Sequence, residues 1–195
     1  MLGDAGVGKS TLSISFKSGK STPEKLQATI GFDLWTKIIK VDDKAIKALV
    51  YDTSGQEVFN SISKNYMRQG EGIIIVYDIT DTNSFESVKF WVEEVHQLRS
   101  DSPPIFIIGN KADLEELRAI PRETGRAYAS GIGATFIETS IKDFMTIEQA
   151  FNIAVKQVYC TKVEKEVVAN IKSNLKLSKR TKPTQKGRQS TNVGC

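Results

Sequence analysis

Histidine and cysteine are scarce: the 195 residues include one histidine, His96, and two cysteines, Cys160 and Cys195. Two cysteines cannot build a disulfide framework, so a reducing cytosolic home is the default. With no His/Cys cluster, there is no ligand set for a structural zinc site. Long apolar runs are missing too. The longest pure aliphatic stretch is Ile73-Ile74-Ile75-Val76, against the roughly 18 residues that cross a bilayer. No secretory leader is expected, because Asp4 and glycines follow Met1-Leu2 where an apolar stretch would stand. What is present is ordinary for a globular chain: 39% hydrophobic and 26% charged residues, enough for one domain plus a tail.

The net charge of +4 is unevenly placed. Residues 161–195 carry nine basic and two acidic side chains, a net +7, which leaves −3 on residues 1–160. A basic tail on a mildly acidic body predicts an anionic partner for the tail alone. Nucleic acid is the weaker candidate, since the tail has no interleaved aromatics and no nucleic-acid-binding motif. The anionic cytosolic membrane face and a merely solvated tail remain.

The body alternates strand and helix patterns. Asp33–Val41 and Lys44–Asp52 read as strands joined by the turn Asp42-Asp43. Gly72–Asp78, Ile105–Gly109 and Thr135–Glu138 read as short strands buried on both faces. Three-to-four spacing predicts helices over Asn83–Leu98 and Thr146–Tyr159, and Pro121 opens another ending at Ser130. Val163, Val167 and Ile171 allow the last helix to continue, and composition predicts disorder from about Leu177. The alternation implies an α/β fold, a doubly wound, mostly parallel sheet with helices on both faces. The domain spans residues 1–160, and residues 161–195 form the helix end and a basic tail.

Three motifs stand at predicted strand ends, the edge where α/β sheets bind ligands. The first, Gly3-Asp4-Ala5-Gly6-Val7-Gly8-Lys9-Ser10, followed by Thr11, is a phosphate loop. Its glycines let backbone N–H groups approach phosphate oxygens. Lys9 adds a point charge, the Ser10 hydroxyl suits Mg²⁺, and the next helix points its positive end at the anion. The second, Asp52-Thr53-Ser54-Gly55-Gln56, offers a carboxylate to hold Mg²⁺ through water and a Gly55 N–H for a γ-phosphate. Its Gln56 amide has both a donor and an acceptor to orient an attacking water. The third, Asn110-Lys111-Ala112-Asp113, places a carboxylate that accepts two hydrogen bonds from guanine, a donor pair adenine lacks. Thr139-Ser140-Ile141-Lys142 is a weaker fourth element, whose backbone suits the guanine oxygen. Each motif alone has a plain structural counterpart: a helix-capping turn, a strand-ending turn, a loop. Their joint occurrence points to GTP or GDP.

Together these residues resemble the Ras-like small GTPases over residues 3–160, the Rab branch most closely. Thr29-Ile30-Gly31-Phe32-Asp33-Leu34, Tyr66-Met67-Arg68, Gly72–Thr80, Asn83-Ser84-Phe85 and Ile137–Ser140 carry the Rab likeness. The resemblance implies a P-loop fold and slow GTP hydrolysis with Gln56 as the catalytic residue. It makes Ser10, Thr29 and Asp52 (through water) the Mg²⁺ residues, with Thr29 sensing the γ-phosphate. Asn110, Lys111, Asp113, Ser140, Ile141 and Lys142 become the guanine-binding set. It implies an exchange factor, an activating protein and effectors as partners, no nucleic acid, and a peripheral place on the cytosolic face of intracellular membranes in vesicle traffic.

The chain departs from that family pattern in five places. The strand leading into the phosphate loop is reduced to Met1 and Leu2, which reads as a truncated start or an unstable variant. No aromatic stands between Phe16 and Thr29. Ser54 and Ile141 replace alanines, and the bulkier Ile141 is expected to crowd the base. The Rab aromatic triad reads Leu34, Tyr51 and Tyr66. The tail ends in a lone Cys195, open to prenylation, to being a shortened double-cysteine end, or to being a free thiol; lipidation beside basic charge is favoured. Cys160 is expected to pack rather than react. The alternative to a cycling switch is a non-cycling, nucleotide-binding or pseudo-GTPase interaction module.

Overall fold

Continuous aliphatic runs dictate the central sheet. In the computed structural model, β3 (Ile73–Asp78), β4 (Ile105–Asn110) and β5 (Thr135–Glu138) pair in parallel in the order β3-β4-β5. The structure describes residues 1–21, 32–53 and 61–180, with the backbone alone at 32, 61–63 and 172–180. Two compact units emerge, Met1–Cys160 and Thr161–Cys195.

Strand periodicity sends alternate side chains to opposite faces, and both faces are covered. Ile73, Ile75, Tyr77, Ile105 and Ile107 join one core with Met67 of α2 (Ser61–Gln69). Phe85, Val88, Trp91, Val92 and Val95 of α3 (Thr82–Leu98) and Ala129 of α4 (Arg122–Gly131) complete it. Val76 and Ile108 point the other way. They meet Leu12 and Phe16 of α1 (Lys9–Ser18) and Ile147, Ala150 and Phe151 of α5 (Phe144–Arg180). Phe16 and Phe151 stack with ring centroids 4.3 Å apart. This is the doubly wound arrangement that the alternation implies.

β1 (Phe32–Val41) and β2 (Lys44–Thr53) form an antiparallel hairpin, a separate two-stranded sheet. Its turn is made by Asp42, whose φ of 52° is a left-handed value that Asp tolerates. Trp35, Ile39 and Val41 face the core with α1 and α5, while Leu34, Ile38 and Leu49 are exposed.

Only Met1 and Leu2 stand between the two sheets among the described residues. Leu2 bridges in parallel to Ile75: its N–H donates to the Ile74 carbonyl at 2.7 Å and its carbonyl accepts from Val76 N–H at 2.9 Å. On the other side the Met1 nitrogen donates to the Tyr51 carbonyl at 2.6 Å, and the Thr53 hydroxyl donates to the Met1 carbonyl at 2.9 Å. Met1 and Leu2 therefore join the carboxyl end of β2 to the middle of β3.

Element limits shift modestly from expectation. Pro121 caps α4 rather than opening it, and Asp81 caps α3 by accepting from Asn83 N–H. α2 was not legible as a helix. α5 runs to Arg180, so the disorder expected from Leu177 does not hold for residues 177–180. Cys160 is exposed, which overturns the expectation that it packs. Among the described residues, no helix is long and apolar enough to cross a membrane.

Candidate functional site

The loop from Gly3 to Gly8 joins the Leu2 stub to α1 and turns through conformations that only glycine accepts cheaply. Gly3 has a φ of 131°, and a Cβ there would strike the Val76 carbonyl; Gly8 has a φ of 95°, and a Cβ there would strike the Asn110 amide. The loop closes around the Lys9 side chain, which is 3% exposed. The Lys9 ammonium donates to the carbonyls of Gly3 at 2.9 Å and Asp4 at 2.7 Å. These carbonyls hold the ammonium at the N-terminus of α1, a place suited to an anion. Asp4 is fixed in turn by the Trp91 indole N–H at 3.1 Å.

Asp52 closes β2 on the hairpin side of the loop. It is 2% exposed, accepts a hydrogen bond from Ser10, and keeps its Oδ1 without a hydrogen-bond partner. Burial pushes its carboxyl above the ordinary range, opposed by Ser10, the Met1 amino group and Lys9. A buried, unpartnered carboxylate oxygen beside a serine hydroxyl is a donor set that fits a hard divalent cation. Among the described residues no group of three or more His, Cys, Asp or Glu stands together, so any such cation draws on hydroxyl and ligand oxygens as well.

At the ends of β4 and β5 the remaining motifs are tied to the loop. The Asn110 amide donates to the Val7 carbonyl at 2.9 Å and its oxygen accepts from the Thr139 hydroxyl at 3.0 Å. Lys111, at a left-handed φ of 65°, reaches Asp78 at 2.5 Å. Asp113 accepts from the Ser140 hydroxyl at 2.6 Å and pairs with Lys142 at 3.4 Å. Burial alone would raise the Asp113 carboxyl, but Ser140, its own backbone N–H and Lys142 hold it below the ordinary value. Ile141 is half-buried and packs against the core that includes Ile147 and Phe151.

Thus Gly3, Asp4, Ala5, Gly6, Val7, Gly8, Lys9, Ser10, Thr11, Asp52, Asn110, Lys111, Asp113, Ser140, Ile141 and Lys142 all lie at or beside the carboxyl edge of the strands. Thr29, Ser54, Gly55, Gln56 and Cys195 lie outside the described residues. Sequence reasoning missed the supporting partners: Trp91 on Asp4, Asp78 on Lys111, and Thr139 on Asn110. It also missed Arg118. That guanidinium spans Glu115, at 2.7 Å, and the nearly buried Glu138, at 2.8 Å, just before Thr139. The one available signal was the i,i+3 pair Glu115/Arg118.

The comparisons agree with this geometry. The profile of the Ras family matches residues 1–160. The Ras-related protein RABD2a of Arabidopsis thaliana is 48% identical over 151 residues, 77% of this chain and 74% of the relative. The Ras-related protein Rab-8B of Dictyostelium discoideum is 41% identical over the same shares. The GTP-binding protein YPTM1 of Zea mays is 35% identical over 195 residues, all of this chain and 93% of the relative. The chain belongs to the Ras family of small GTPases, enzymes that hydrolyse GTP, and is Rab-like within it.

Proposed function

We propose that this chain is a Rab-like switch that alternates between GTP and GDP and works at the cytosolic face of intracellular membranes in vesicle traffic. Residues 1–160 are its nucleotide-binding domain, and residues 161–195 its helix end and basic tail. The observation that carries the reading is the Asn110 side chain, bonded at once to the phosphate loop and to Thr139. Phosphate and base recognition are thereby parts of one rigid unit.

In this reading Gly3–Ser10 and Thr11 wrap the phosphates by backbone N–H groups, and the Lys9 ammonium exchanges its carbonyl partners for phosphate oxygens. Asp113 accepts from guanine, flanked by Asn110, Lys111, Ser140, Ile141 and Lys142. Ras-family GTPases generally use Mg²⁺. Here Ser10, Thr29 and Asp52 (through water) are the residues to hold it, and when bound it neutralises charge on the phosphates. Gln56 orients the attacking water, with Gly55 and Thr29 on the γ-phosphate side. With no arginine finger in cis, intrinsic turnover is expected on the order of 10⁻⁴–10⁻² s⁻¹.

The partners are an exchange factor, an activating protein and effectors. Leu34 stands opposite Tyr51 in the hairpin register, and Tyr51 lies 4.5 Å from Tyr66 between ring centroids. This partly exposed face is the one offered to effectors. A lipid on Cys195 would add to the tail's charge at the membrane.

The test is the nucleotide carried by purified protein, followed by single-turnover hydrolysis of wild type and Gln56→Leu. GTP or GDP at near one per chain, with hydrolysis slowed in the variant, is the expected result. A chain that holds GTP but hydrolyses it no faster than Gln56→Leu, with or without an activating partner, is instead a non-cycling module.

A further inference from the structure

Residues Thr161–Arg180, the described part of the second unit, are helical, about 30 Å long at 1.5 Å per residue. Val163 is half-buried, and Val167, Val168 and Ile171 are 51%, 48% and 53% exposed. Isolated exposed aliphatics need no explanation, but these share one face. At 3.6 residues per turn, Val163, Val167, Val168, Ile171 and the register position of Leu175 fall within an arc of about 140°. The six basic residues of the same stretch, Lys162, Lys165, Lys172, Lys176, Lys179 and Arg180, fall within an adjoining arc of about 100°. Glu164 is the one charge inside the apolar arc, and it stands at the N-terminal end; Asn174 and Ser178 soften the C-terminal end.

Charge decides what covers this face. A second copy would bring six more cations alongside the first six, with only Glu164 and Glu166 to offset them, which disfavours a self-paired seam. A nucleic-acid phosphate backbone would satisfy the lysines and leave the apolar arc in water. An anionic bilayer surface satisfies both: aliphatic side chains enter the acyl boundary while flanking lysines stay at headgroup level.

We propose that Thr161–Arg180 is an interfacial helix that lies in the plane of an anionic membrane with Val163, Val167, Val168 and Ile171 downward. It deepens the membrane part of the reading above, and it makes the helix, rather than Cys195 or simple basic charge, the element that grips the bilayer. Neither a lipid nor a particular bound nucleotide is required.

The experiment uses the full chain carrying Cys195→Ser, loaded with GDP, in cosedimentation with vesicles of phosphatidylcholine alone or with added phosphatidylserine, which supplies the anionic surface. The expected result is binding to the anionic vesicles only. The Val167→Asp/Ile171→Asp variant should bind at least about tenfold more weakly with its nucleotide content unchanged, and Lys172→Gln/Lys176→Gln/Lys179→Gln should weaken binding similarly, since both arcs contribute. Equal binding by Val167→Asp/Ile171→Asp and the parent would overturn the proposal, because charge alone would then suffice. Absence of vesicle binding, alongside a dimer dispersed by the same double variant or capture by an acidic helix-binding protein, would overturn it in favour of that partner. Nucleotide content, read on the same samples, tests the switch reading separately.

Discussion

The Asn110 side chain donates to the Val7 carbonyl at 2.9 Å, joining the end of β4 to the middle of the phosphate loop. The same amide's oxygen accepts from Thr139, so a single 1%-exposed side chain spans three segments of the site.

Asn110→Ala should cost about 1–3 kcal/mol for each polar partner left buried and unpaired, Val7 oxygen and Thr139 hydroxyl. It should also loosen the loop, so that GDP release speeds up with little change in association. Asn110→Asp keeps the acceptor for Thr139 but faces the Val7 carbonyl with an oxygen, and is expected to be at least as damaging. Urea midpoints and fluorescent-GDP release rates check both. Unchanged release from Asn110→Ala would show that the loop is fixed by other contacts.

Asp113 is expected to set base preference. Asp113→Asn exchanges an acceptor for a donor and should weaken guanine nucleotides while favouring xanthine nucleotides, read by competition titration. Ser140 and Lys142 hold its carboxyl below the ordinary value. With a depressed folded pKa, the stabilisation is present above the unfolded value near 3.9 and fades only as pH falls through the folded one. GDP affinity should therefore show no Asp113 titration between pH 7 and 5. A loss of affinity within that window that disappears in Asp113→Asn would contradict the assignment.

Arg118 illustrates what the sequence could not disclose. The phosphate loop and the Asn110–Asp113 motif were legible because backbone chemistry fixes their residue types and spacing. The parallel sheet was legible because buried strands need unbroken aliphatic runs, as in Ile73–Val76. Partners such as Trp91 on Asp4, or Arg118 on Glu138, depend on where distant elements meet, and no local pattern encodes that. α2 stayed hidden because Ser61–Gln69 is mostly polar, with Met67 its single fully buried apolar side chain among those described.

Arg118→Ala should leave Glu138, whose side chain is 8% exposed, with only the longer contact to Arg122 at 3.7 Å. Removing one partner of a nearly buried ion pair costs about 3–5 kcal/mol, whereas the intact pair contributes little net. Tyr77, whose hydroxyl is buried without a hydrogen-bond partner, feels the same carboxylate and has its pKa raised, by burial first and by Glu138 second. Arg118→Ala/Glu138→Gln should recover much of the loss, because no charge is then stranded. A double-mutant cycle in urea measures the coupling, and additive losses would show that the pair acts independently.

The junction between the two sheets supports the last prediction. Met1 and Leu2 join the carboxyl end of β2 to the middle of β3, and among the described residues no strand lies between the two further back. Ile46, Ala48, Val50 and Ile74, which turn toward the core of α1 and α5, are only partly buried, as expected for side chains lacking a neighbour in that gap. Adding five apolar residues ahead of Met1 extends Leu2 in the direction its bridge to Ile75 already sets. Each new backbone hydrogen bond is worth about 0.5–1.5 kcal/mol net, and each buried aliphatic side chain about 1.5–3 kcal/mol. Ordering each residue costs about 1–2 kcal/mol of backbone entropy. The balance favours the paired strand by several kcal/mol, and at about 2–4 °C per kcal/mol for a domain of this size the melting temperature should rise by roughly 6–12 °C. A five-residue Gly/Ser extension of equal length should leave it unchanged. If the apolar extension melts no higher than the Gly/Ser one, the gap between β2 and β3 is already closed.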